Sequence, residues 1–440
     1  MKKWISLSLS GGKSSRFKSS EHKALHKLSG KITADIIIST IKNAGIVNNA
    51  IVVPEDLIKK FADNLDKKTI IVSQKHAYGT GDAIKVSRKI INNYKYSLII
   101  NGDLPLITTR LIKKIIKKHE QNNSVMTVTT VSGKKYSGYG KMIIKNSIVE
   151  KIEENAPYSE SDKLNAGIYA VDNLWLLNNI NKIQKASNKE LQFTSILEIA
   201  RKNNQDITLL HLGNTDEALQ INTDEQLDLV SKKIQNNINA KLINKGVQIQ
   251  DSNTTYIQHD VTIKAGTIIL PNTFIEKDSI IGKDCTIGPG AVISNSQVGN
   301  NAHIVDSRII DSTLKNNVKI GPYSHIRPKS LIMNDVTIGT NVEIKNSTIG
   351  NKSKIGHFAY IGDSELKQSV NIGAGTVTAN YSGMKKHKTS IGSNTFIGSN
   401  STLIAPVVIG NNAYVGAGSV INKNIPNSQT WVGNPGKLLK

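Results

Sequence analysis

The spacing of apolar residues changes once along this chain. In the first half, short apolar runs alternate with segments whose apolar positions recur every three or four residues, a pattern that predicts strands and helices in turn. From about Ile263 an aliphatic residue recurs every six positions instead, and glycine directly follows many of these residues. Two periods in one chain predict two domains of different architecture, which we place at residues 1–221 and 246–440.

The first domain is predicted to be a mostly parallel, Rossmann-like α/β domain. Helical spacing predicts helices at 32–45 and 81–94, and apolar runs predict strands at 4–10, 49–54, 68–73, 97–102 and 124–131. In sheets of this kind, ligands bind at the carboxyl ends of the strands.

Residues 222–245 are predicted to form a helix that links the two domains. Thr223 and Gln226 fit a capping box at its start. Its apolar positions fall on one face, formed by Leu227, Val230, Ile234 and Ile238.

The period of six in the second domain predicts a parallel β-helix, in which short strands are joined by tight turns and each aliphatic side chain points into a shared core. The repeat gives about 27 units and, at three units per coil, about nine coils. The pattern fails after Thr378, because the next in-phase aliphatic is Ile391, thirteen residues on instead of twelve. Stacked coils alone could be structural, but a polar loop at this break would carry side chains to a binding site.

Composition narrows the class of protein. No apolar run approaches the length of a membrane span, and the two lysines at the start precede a short run that we interpret as a first strand, not a signal peptide. The net charge is +22, but the lysines are scattered and aromatic residues are only 5%, which argues against a nucleic-acid platform. Solvated surface lysines and anionic small-molecule substrates are both consistent with this net charge. The single cysteine, Cys285, excludes an intrachain disulfide and suits a reducing cytoplasm.

Five motifs in the second domain resemble one family. They are IRPKS, VEIKNSTIG, GHFAYIGD, VNIGAGTVTANYSG and FIGSNSTLIAPVVIG. In this order and spacing they resemble the bifunctional N-acetylglucosamine-1-phosphate uridylyltransferase/glucosamine-1-phosphate acetyltransferase family, and the resemblance extends over roughly 5–425. It implies a nucleotidyltransferase domain followed by a left-handed parallel β-helix of hexapeptide repeats that assembles as a homotrimer. It also implies a cytoplasmic enzyme that makes UDP-N-acetylglucosamine in two steps, for cell-wall synthesis.

The resemblance implies an acetyl-transfer site on the β-helix. Transfer from acetyl-CoA to glucosamine 1-phosphate needs a base to free the amine lone pair, and the motif assigns this role to His357, with Glu343 to orient it. Read alone, His357 would be a structural residue and each lysine a solvated surface charge. The implied contacts to the sugar phosphate are Arg327, Lys345, Tyr360, Asn371, Asn380, Tyr381 and Lys386, and those to acetyl-CoA are Ser399 and Ala417.

One departure concerns the coenzyme. The family continues into a longer arm with an arginine that contacts the CoA phosphates, whereas this sequence finishes NSQTWVGNPGKLLK. Lys437 and Lys440 are the candidate substitutes.

A uridylyl-transfer site is implied in the first domain. Nucleotidyl transfer places charge on phosphates, so it needs a close-approaching backbone, cations and Mg²⁺. The implied UTP contacts are Leu9, Gly12, Lys13, Arg16, Lys23, Gln74, Gly79 and Thr80. The implied contacts to N-acetylglucosamine 1-phosphate are Gly140, Glu154 and Asn165, and the implied Mg²⁺ ligands are Asp103 and Asn222.

Three departures in this domain keep two alternatives open. Ser14 replaces a loop glycine, Asn101 replaces a tyrosine, and the segment ELQFTS at 190–195 differs from the family's motif. The first alternative is an acetyltransferase whose nucleotidyltransferase domain is inactive or uses another nucleotide. The second is a regulatory protein that reuses the architecture, which GHFAYIGD and NYSG argue against.

Overall fold

The computed structural model describes residues 2–12, 17, 21–145, 148–154, 156–185 and 190–440. It divides into two compact units, Met1–Ile234 and Gln235–Lys440, and the boundary falls inside the helix Asp224–Ile243. No helix among the described residues is long and apolar enough to cross a bilayer.

The first unit is a mixed, mainly parallel sheet flanked by helices. In sheet order its main strands are Ile207–His211, Met126–Val131, Leu164–Asp172, Tyr94–Asn101, Lys2–Leu9, Asn49–Pro54 and Ile70–Gln74. Leu164–Asp172 runs antiparallel to both of its neighbours, and the remaining pairs are parallel. A side hairpin consists of Lys141–Lys145 and Ile148–Glu153, and a small separate pair consists of Lys27–Leu28 and Lys31–Ile32.

Helices pack around this sheet because its strands are apolar on both faces. Ala50, Ile51, Val52 and Val53 are all buried, as expected of a covered parallel strand. The α-helices of this unit are Thr33–Asn43, Ile58–Asn64, Thr80–Val86, Arg88–Ile91, Thr109–Gln121, Asn173–Asn179 and Ile196–Lys202.

The predicted helix at 81–94 is wrong in its extent. The structure has two short helices there, Thr80–Val86 and Arg88–Ile91, and Tyr94 already belongs to the next strand. Between the helices, the Ser87 hydroxyl donates to the Ala83 carbonyl at 2.9 Å, a local bond that competes with regular helix geometry.

The start of the long helix follows the expected capping pattern with one difference. Thr223 Oγ1 accepts from the Gln226 amide at 3.3 Å, whereas the Gln226 side chain accepts from the Asn222 amide at 2.7 Å. Val230 and Ile234 are buried, and Leu227 and Ile238 are partly buried.

The second unit is a triangular prism of stacked coils with one sheet along each of its three faces, parallel throughout except for the last strand of the first face, which runs antiparallel to its neighbour. The first face holds Gln248–Ile249, Ile268–Ile269, Thr286–Ile287, His303–Ile304, Lys319–Ile320, Thr337–Ile338, Lys354–Ile355, Asn371–Ile372, Phe396–Ile397, Tyr414–Val415, Thr430–Val432 and Lys437–Leu438. The second face holds Tyr256–Ile257, Phe274–Ile275, Val292–Ser294, Arg308–Ile310, His325–Ile326, Glu343–Lys345, Tyr360–Gly362, Val377–Ala379, Thr402–Ile404 and Val420–Ile421. The third face holds Thr262–Ile263, Ile280–Ile281, Gln297–Val298, Thr313–Leu314, Leu331–Ile332, Thr348–Ile349, Ser364–Leu366, Thr389–Ile391 and Val407–Ile409.

The aliphatic residues of the repeat fill the interior of the prism. In a typical two-residue strand such as Phe274–Ile275, the first side chain is exposed and the second is buried. The stack begins earlier than the repeat at Ile263 suggests, because Gln248–Ile249 already pairs with Ile268–Ile269. That first spacing is twenty residues, too irregular to show as a period of six.

Candidate functional sites

A cavity of about 570 Å³ opens at the carboxyl ends of the strands in the first unit. Leu9 and Gln74 end two of these strands, which explains why residues far apart in sequence meet here. Its lining includes seven of the residues expected to bind substrates: Leu9, Gly12, Gln74, Gly79, Thr80, Glu154 and Asn165.

One wall of the cavity comes from the segment 190–194. The Gly81 amide donates to the Leu191 carbonyl at 2.7 Å, and the Phe193 amide donates to Thr80 Oγ1 at 2.9 Å. Gly79 has a φ of +104°, and a Cβ there would lie 2.6 Å from the Leu191 carbonyl oxygen. The stretch that departs from the family's motif therefore forms part of the pocket, and glycine at 79 permits its close approach.

The residues expected to bind the acetylated sugar form a connected group. The Gly140 carbonyl accepts from the Asn165 amide at 2.8 Å, and Asn165 Nδ2 lies 2.7 Å from the Tyr169 hydroxyl. Glu154 lines the cavity near them, and burial raises the pKa of its carboxyl group. Gly140 contributes to this group through its carbonyl, which holds the Asn165 backbone.

Asp103, Asn222 and Lys23 form a second group in this unit. Lys23 Nζ lies 2.6 Å from Asp103 Oδ2 and 3.0 Å from Asn222 Oδ1, so it sits between the two predicted metal ligands. The Asp103 side chain is only 7% exposed, and in the described part of the chain its Oδ1 has no hydrogen-bond partner. A buried carboxylate with an unused oxygen beside an amide oxygen is a donor set that suits Mg²⁺.

Neighbouring residues fix the orientation of Asn222. Its Nδ2 donates to Gln220 Oε1 at 3.1 Å, which leaves Oδ1 facing Lys23. The Ile221 amide donates to the Asp103 carbonyl at 3.0 Å, so the two predicted ligands are tied together through the backbone as well. Two other predicted UTP contacts, Lys13 and Arg16, lie outside the described residues, as does Ser14.

On the β-helix, cationic residues gather along the second face. Lys345 lies beside Lys386, and this neighbouring ammonium group is the main cause of a lowered pKa at Lys345. Arg327 also faces Lys345, while its Nη1 binds Glu343 Oε1 at 2.6 Å. Lys386, and not its neighbour Lys385, is therefore the loop lysine that joins this group.

The expected pairing of Glu343 with His357 is not what the structure shows, because the Glu343 carboxylate is paired with Arg327. This ion pair is about two-fifths exposed on each side. His357 itself is exposed on the surface of the prism, in the turn from the first face to the second. Its accessibility is what a general base needs.

The remaining predicted residues occupy two different edges of the prism. Ser399 and Ala417 are exposed in the same kind of turn as His357, two and three coils further along. We call this edge the first corner. The second corner lies between the second and third faces, where the buried Asn380 begins a loop that exposes Tyr381 and Lys386. About six residues separate the corners, or about 20 Å of extended chain. Asn371 lies on the first face, and Tyr360 on the second.

Several residues of these sites were not singled out in advance. Tyr169 and Gln192 line the cavity, and Gln220 orients Asn222. Asp363 binds Asn380, although it stands inside the quoted motif GHFAYIGD. Position within a quoted motif or segment, or two to four residues from a predicted ligand, was the available signal for all of them; Gln192 lies in the segment ELQFTS at 190–195.

Family models that match the sequence identify the class of protein. A model of the MobA-like NTP transferase domain matches residues 7–167, and a model of the bacterial transferase hexapeptide repeat matches 260–295 and 388–423. Residues 288–370 match the GlmU-like C-terminal hexapeptide model. The chain is therefore a transferase with a nucleotidyltransferase domain followed by a hexapeptide-repeat domain.

The curated relatives extend over nearly the whole chain. Bifunctional protein GlmU of Thermosipho melanesiensis is 37% identical over 99% of this chain and 96% of its own length. GlmU of Clostridium perfringens is 38% identical over 95% and 93%, and that of Staphylococcus haemolyticus 31% identical over 98% and 97%.

The chain belongs to the GlmU family of bifunctional proteins. The predicted fold class is confirmed: a Rossmann-like nucleotidyltransferase domain followed by a left-handed parallel β-helix of hexapeptide repeats. The chain is a bifunctional nucleotidyltransferase and acetyltransferase, and it has both domains of the two-step synthesis of UDP-N-acetylglucosamine.

Proposed function

We propose that the β-helix acetylates glucosamine 1-phosphate with acetyl-CoA and that the first domain then joins N-acetylglucosamine 1-phosphate to UMP from UTP. The observation that carries this proposal is the cavity of the first domain. It gathers residues from Leu9 to Asn165 at the end of the sheet where a nucleotide and a sugar phosphate would bind.

For uridylyl transfer, we assign the uracil and ribose to the side of the cavity formed by Gln74, Gly79 and Thr80. Gln74 Nε2 donates to the Gly79 carbonyl at 3.2 Å and to Asp82 at 2.8 Å, so its amide is held in a fixed orientation. The sugar phosphate takes the side formed by Glu154 and Asn165. Burial raises the pKa of the Glu154 carboxyl group, whose oxygens can accept hydrogen bonds from sugar hydroxyl groups.

Asp103 and Asn222 are the residues that would hold Mg²⁺, which supplies charge neutralisation of the phosphates. Lys23 occupies the space between these two ligands in the structure. We assign its ammonium group, once released from Asp103, to a phosphate oxygen of the substrate. Lys23 therefore has two roles in this proposal, as the counter-ion of Asp103 and as a phosphate ligand.

For acetyl transfer, we assign the general base to His357, which takes a proton from the ammonium group of the acceptor. We assign the phosphate to Arg327, Lys345 and Lys386, whose cationic groups lie close together. Ser399 and Ala417 contact acetyl-CoA along the first corner.

The separation of the two corners supports assembly as a homotrimer. The base lies at the first corner, whereas the loop cations lie at the second corner of the same chain. If two chains pack side by side, the first corner of one can face the second corner of its partner, and the site is completed between subunits. A cytoplasmic location suits the single reduced cysteine, Cys285, and the nucleotide substrates.

Separate assays of the two half-reactions test the function. Purified protein with UTP, Mg²⁺ and N-acetylglucosamine 1-phosphate should release pyrophosphate, and with acetyl-CoA and glucosamine 1-phosphate it should release free thiol. Thiol release without pyrophosphate release would show that the first domain is inactive or uses another nucleotide. Loss of pyrophosphate release on chelation of the metal is expected as well.

A further inference from the structure

The break in the β-helix repeat is an insertion into one coil. On the third face, Ser364 pairs with Thr389, 25 residues on, whereas Thr389 pairs with Val407, 18 residues on. The extra residues form the loop 380–388, which emerges at the second corner and is largely exposed. Closing such a loop costs conformational entropy, so contacts at its ends are needed to hold it in one position.

Asp363 contacts both ends of the loop. Its side chain accepts from Asn380 Nδ2, where the loop begins, and its carbonyl accepts from the Thr389 amide at 3.3 Å, where the loop ends. Its other carboxylate oxygen accepts from Asn346 Nδ2 in the preceding coil at 2.6 Å. Both oxygens of one carboxylate are thus used to connect three successive coils.

Hydrogen bonds connect Asn380 to the end of the loop that carries Lys386. Asn380 is buried, and its carbonyl accepts from the His387 amide at 2.7 Å. Tyr381 and Lys386 face each other across the loop as an isolated antiparallel bridge. Glycine at 362 leaves room for this arrangement, because a Cβ there would lie 2.7 Å from Asn380 Nδ2.

We propose that Asp363 is a positioning residue for acetyl transfer: it clamps both ends of the loop 380–388 and so holds Lys386 beside Lys345 to bind the phosphate of the acceptor sugar. This role rests on the proposed acetyl transfer to a sugar phosphate. Asp363 does not itself contact the substrate; it acts through Asn380 and the loop.

Charge adds a second contribution. The groups that face Lys345 are Lys386 and Arg327, which lower its pKa, and Asp363, which raises it. In Asp363→Asn the released loop takes Lys386 away from Lys345, which removes the largest cause of the lowered pKa and outweighs the loss of the carboxylate, so the pKa of Lys345 rises towards its usual value. Lys345 should then keep its charge to higher pH, whereas loss of the Asp363 charge alone, with the loop still in place, would lower the pKa.

The experiment compares Asp363→Asn with a matched control, Asp311→Asn. Asp311 occupies the second corner three coils earlier, has a similar φ of +46°, and accepts from Asn295 as Asp363 does from Asn346, but no inserted loop follows it. Asp363→Asn puts an NH₂ donor where an acceptor is needed. We expect its KM for glucosamine 1-phosphate to rise about tenfold, with the alkaline limb of kcat/KM shifted to higher pH. Asp311→Asn should keep the wild-type KM and pH profile.

Hydrogen exchange tests the clamp independently of activity. The amides of His387 and Thr389 should exchange faster in Asp363→Asn than in the wild type, and at the wild-type rate in Asp311→Asn. An unchanged exchange rate, an unchanged KM, or equal losses in the two variants would overturn the proposal. If the wild type transferred no acetyl group to glucosamine 1-phosphate, the proposed function would fail, and the exchange rates would still decide whether Asp363 holds the loop.

Discussion

The first domain encloses its site within one chain, whereas the β-helix carries its predicted residues on the outside of a regular prism. Strand ends and the segment 190–194 surround a cavity in the first domain. On the β-helix, His357 and Lys386 lie at different corners. The difference follows from the architecture, because an open α/β sheet leaves a crevice at its strand ends, and a filled prism has no interior space for a ligand. A prism needs an insertion or a second chain to make a cleft.

Single substitutions should each remove one of the two activities and spare the other. We expect this to be the largest of the predicted effects. His357→Ala should lower acetyl transfer by about 10²- to 10⁴-fold through loss of the general base and leave uridylyl transfer unchanged. Asp103→Ala should do the reverse. The two half-reaction assays measure this, with the exposed His303→Ala as a control. Loss of both activities from either substitution in a folded protein would mean that the sites are not separate.

Mixing two inactive variants distinguishes a site within one chain from a site between chains. His357→Ala changes the first corner, and Arg327→Ala removes a cation from the second face. If the proposed homotrimer builds each site from two chains, co-refolded mixtures should recover about one quarter of the wild-type acetyl transfer, since one site in four pairs two intact halves. If each site lies within one chain, mixing recovers nothing.

Lys23→Met should destabilise the first domain. The change leaves the buried Asp103 carboxylate without its cation, a loss of about 3 kcal/mol in the free energy of unfolding. Thermal unfolding with and without Mn²⁺ measures it, and Mn²⁺ should restore more stability to this variant than to the wild type if Asp103 and Asn222 bind metal. The exposed Lys27→Met serves as the control. Equal effects of Mn²⁺ on all three proteins would contradict the assigned metal site.

The smallest effect concerns acid stability, which should differ between the domains. Burial lowers the pKa of His119 from 6.5 to about 4, between Trp4 and Tyr96 in the first domain. Because the unfolded chain binds this proton more readily, the stabilising contribution is complete above pH 6.5 and is lost as the pH falls towards 4.

Between pH 7 and pH 5 the loss is about 2 kcal/mol. His119→Gln should make the free energy of unfolding of the first domain depend less on pH. Denaturant titration at each pH measures this. The exposed His303→Gln, in the β-helix, should not change it. If the unfolding transition of the wild type did not depend on pH over this range, the lowered pKa of His119 would be contradicted.

The two domains also differ in how far their sequence could be interpreted. The period of six predicts the prism directly, because each coil repeats the same contacts with its neighbours. The exception is its start, where the spacing of twenty residues between Gln248 and Ile268 hides the repeat. In the first domain the five predicted strands lie within a few residues of the observed ones, but Leu164–Asp172 and Ile207–His211 of the same sheet were not predicted. The helix predicted at 81–94 divides at Ser87, since a local side-chain bond outweighs its apolar spacing.

The sequence by itself determined the two architectures, the place of the interrupting loop and the residue types that each reaction needs, because these depend on local spacing and on motif order. Only the tertiary structure decided the partners. It pairs Glu343 with Arg327 and puts Lys23 between Asp103 and Asn222. It also forms the hydrogen bond from Asn380 to Asp363. Such pairings join residues up to 199 positions apart, and they depend on which strand ends and corners meet in space, which no local pattern encodes.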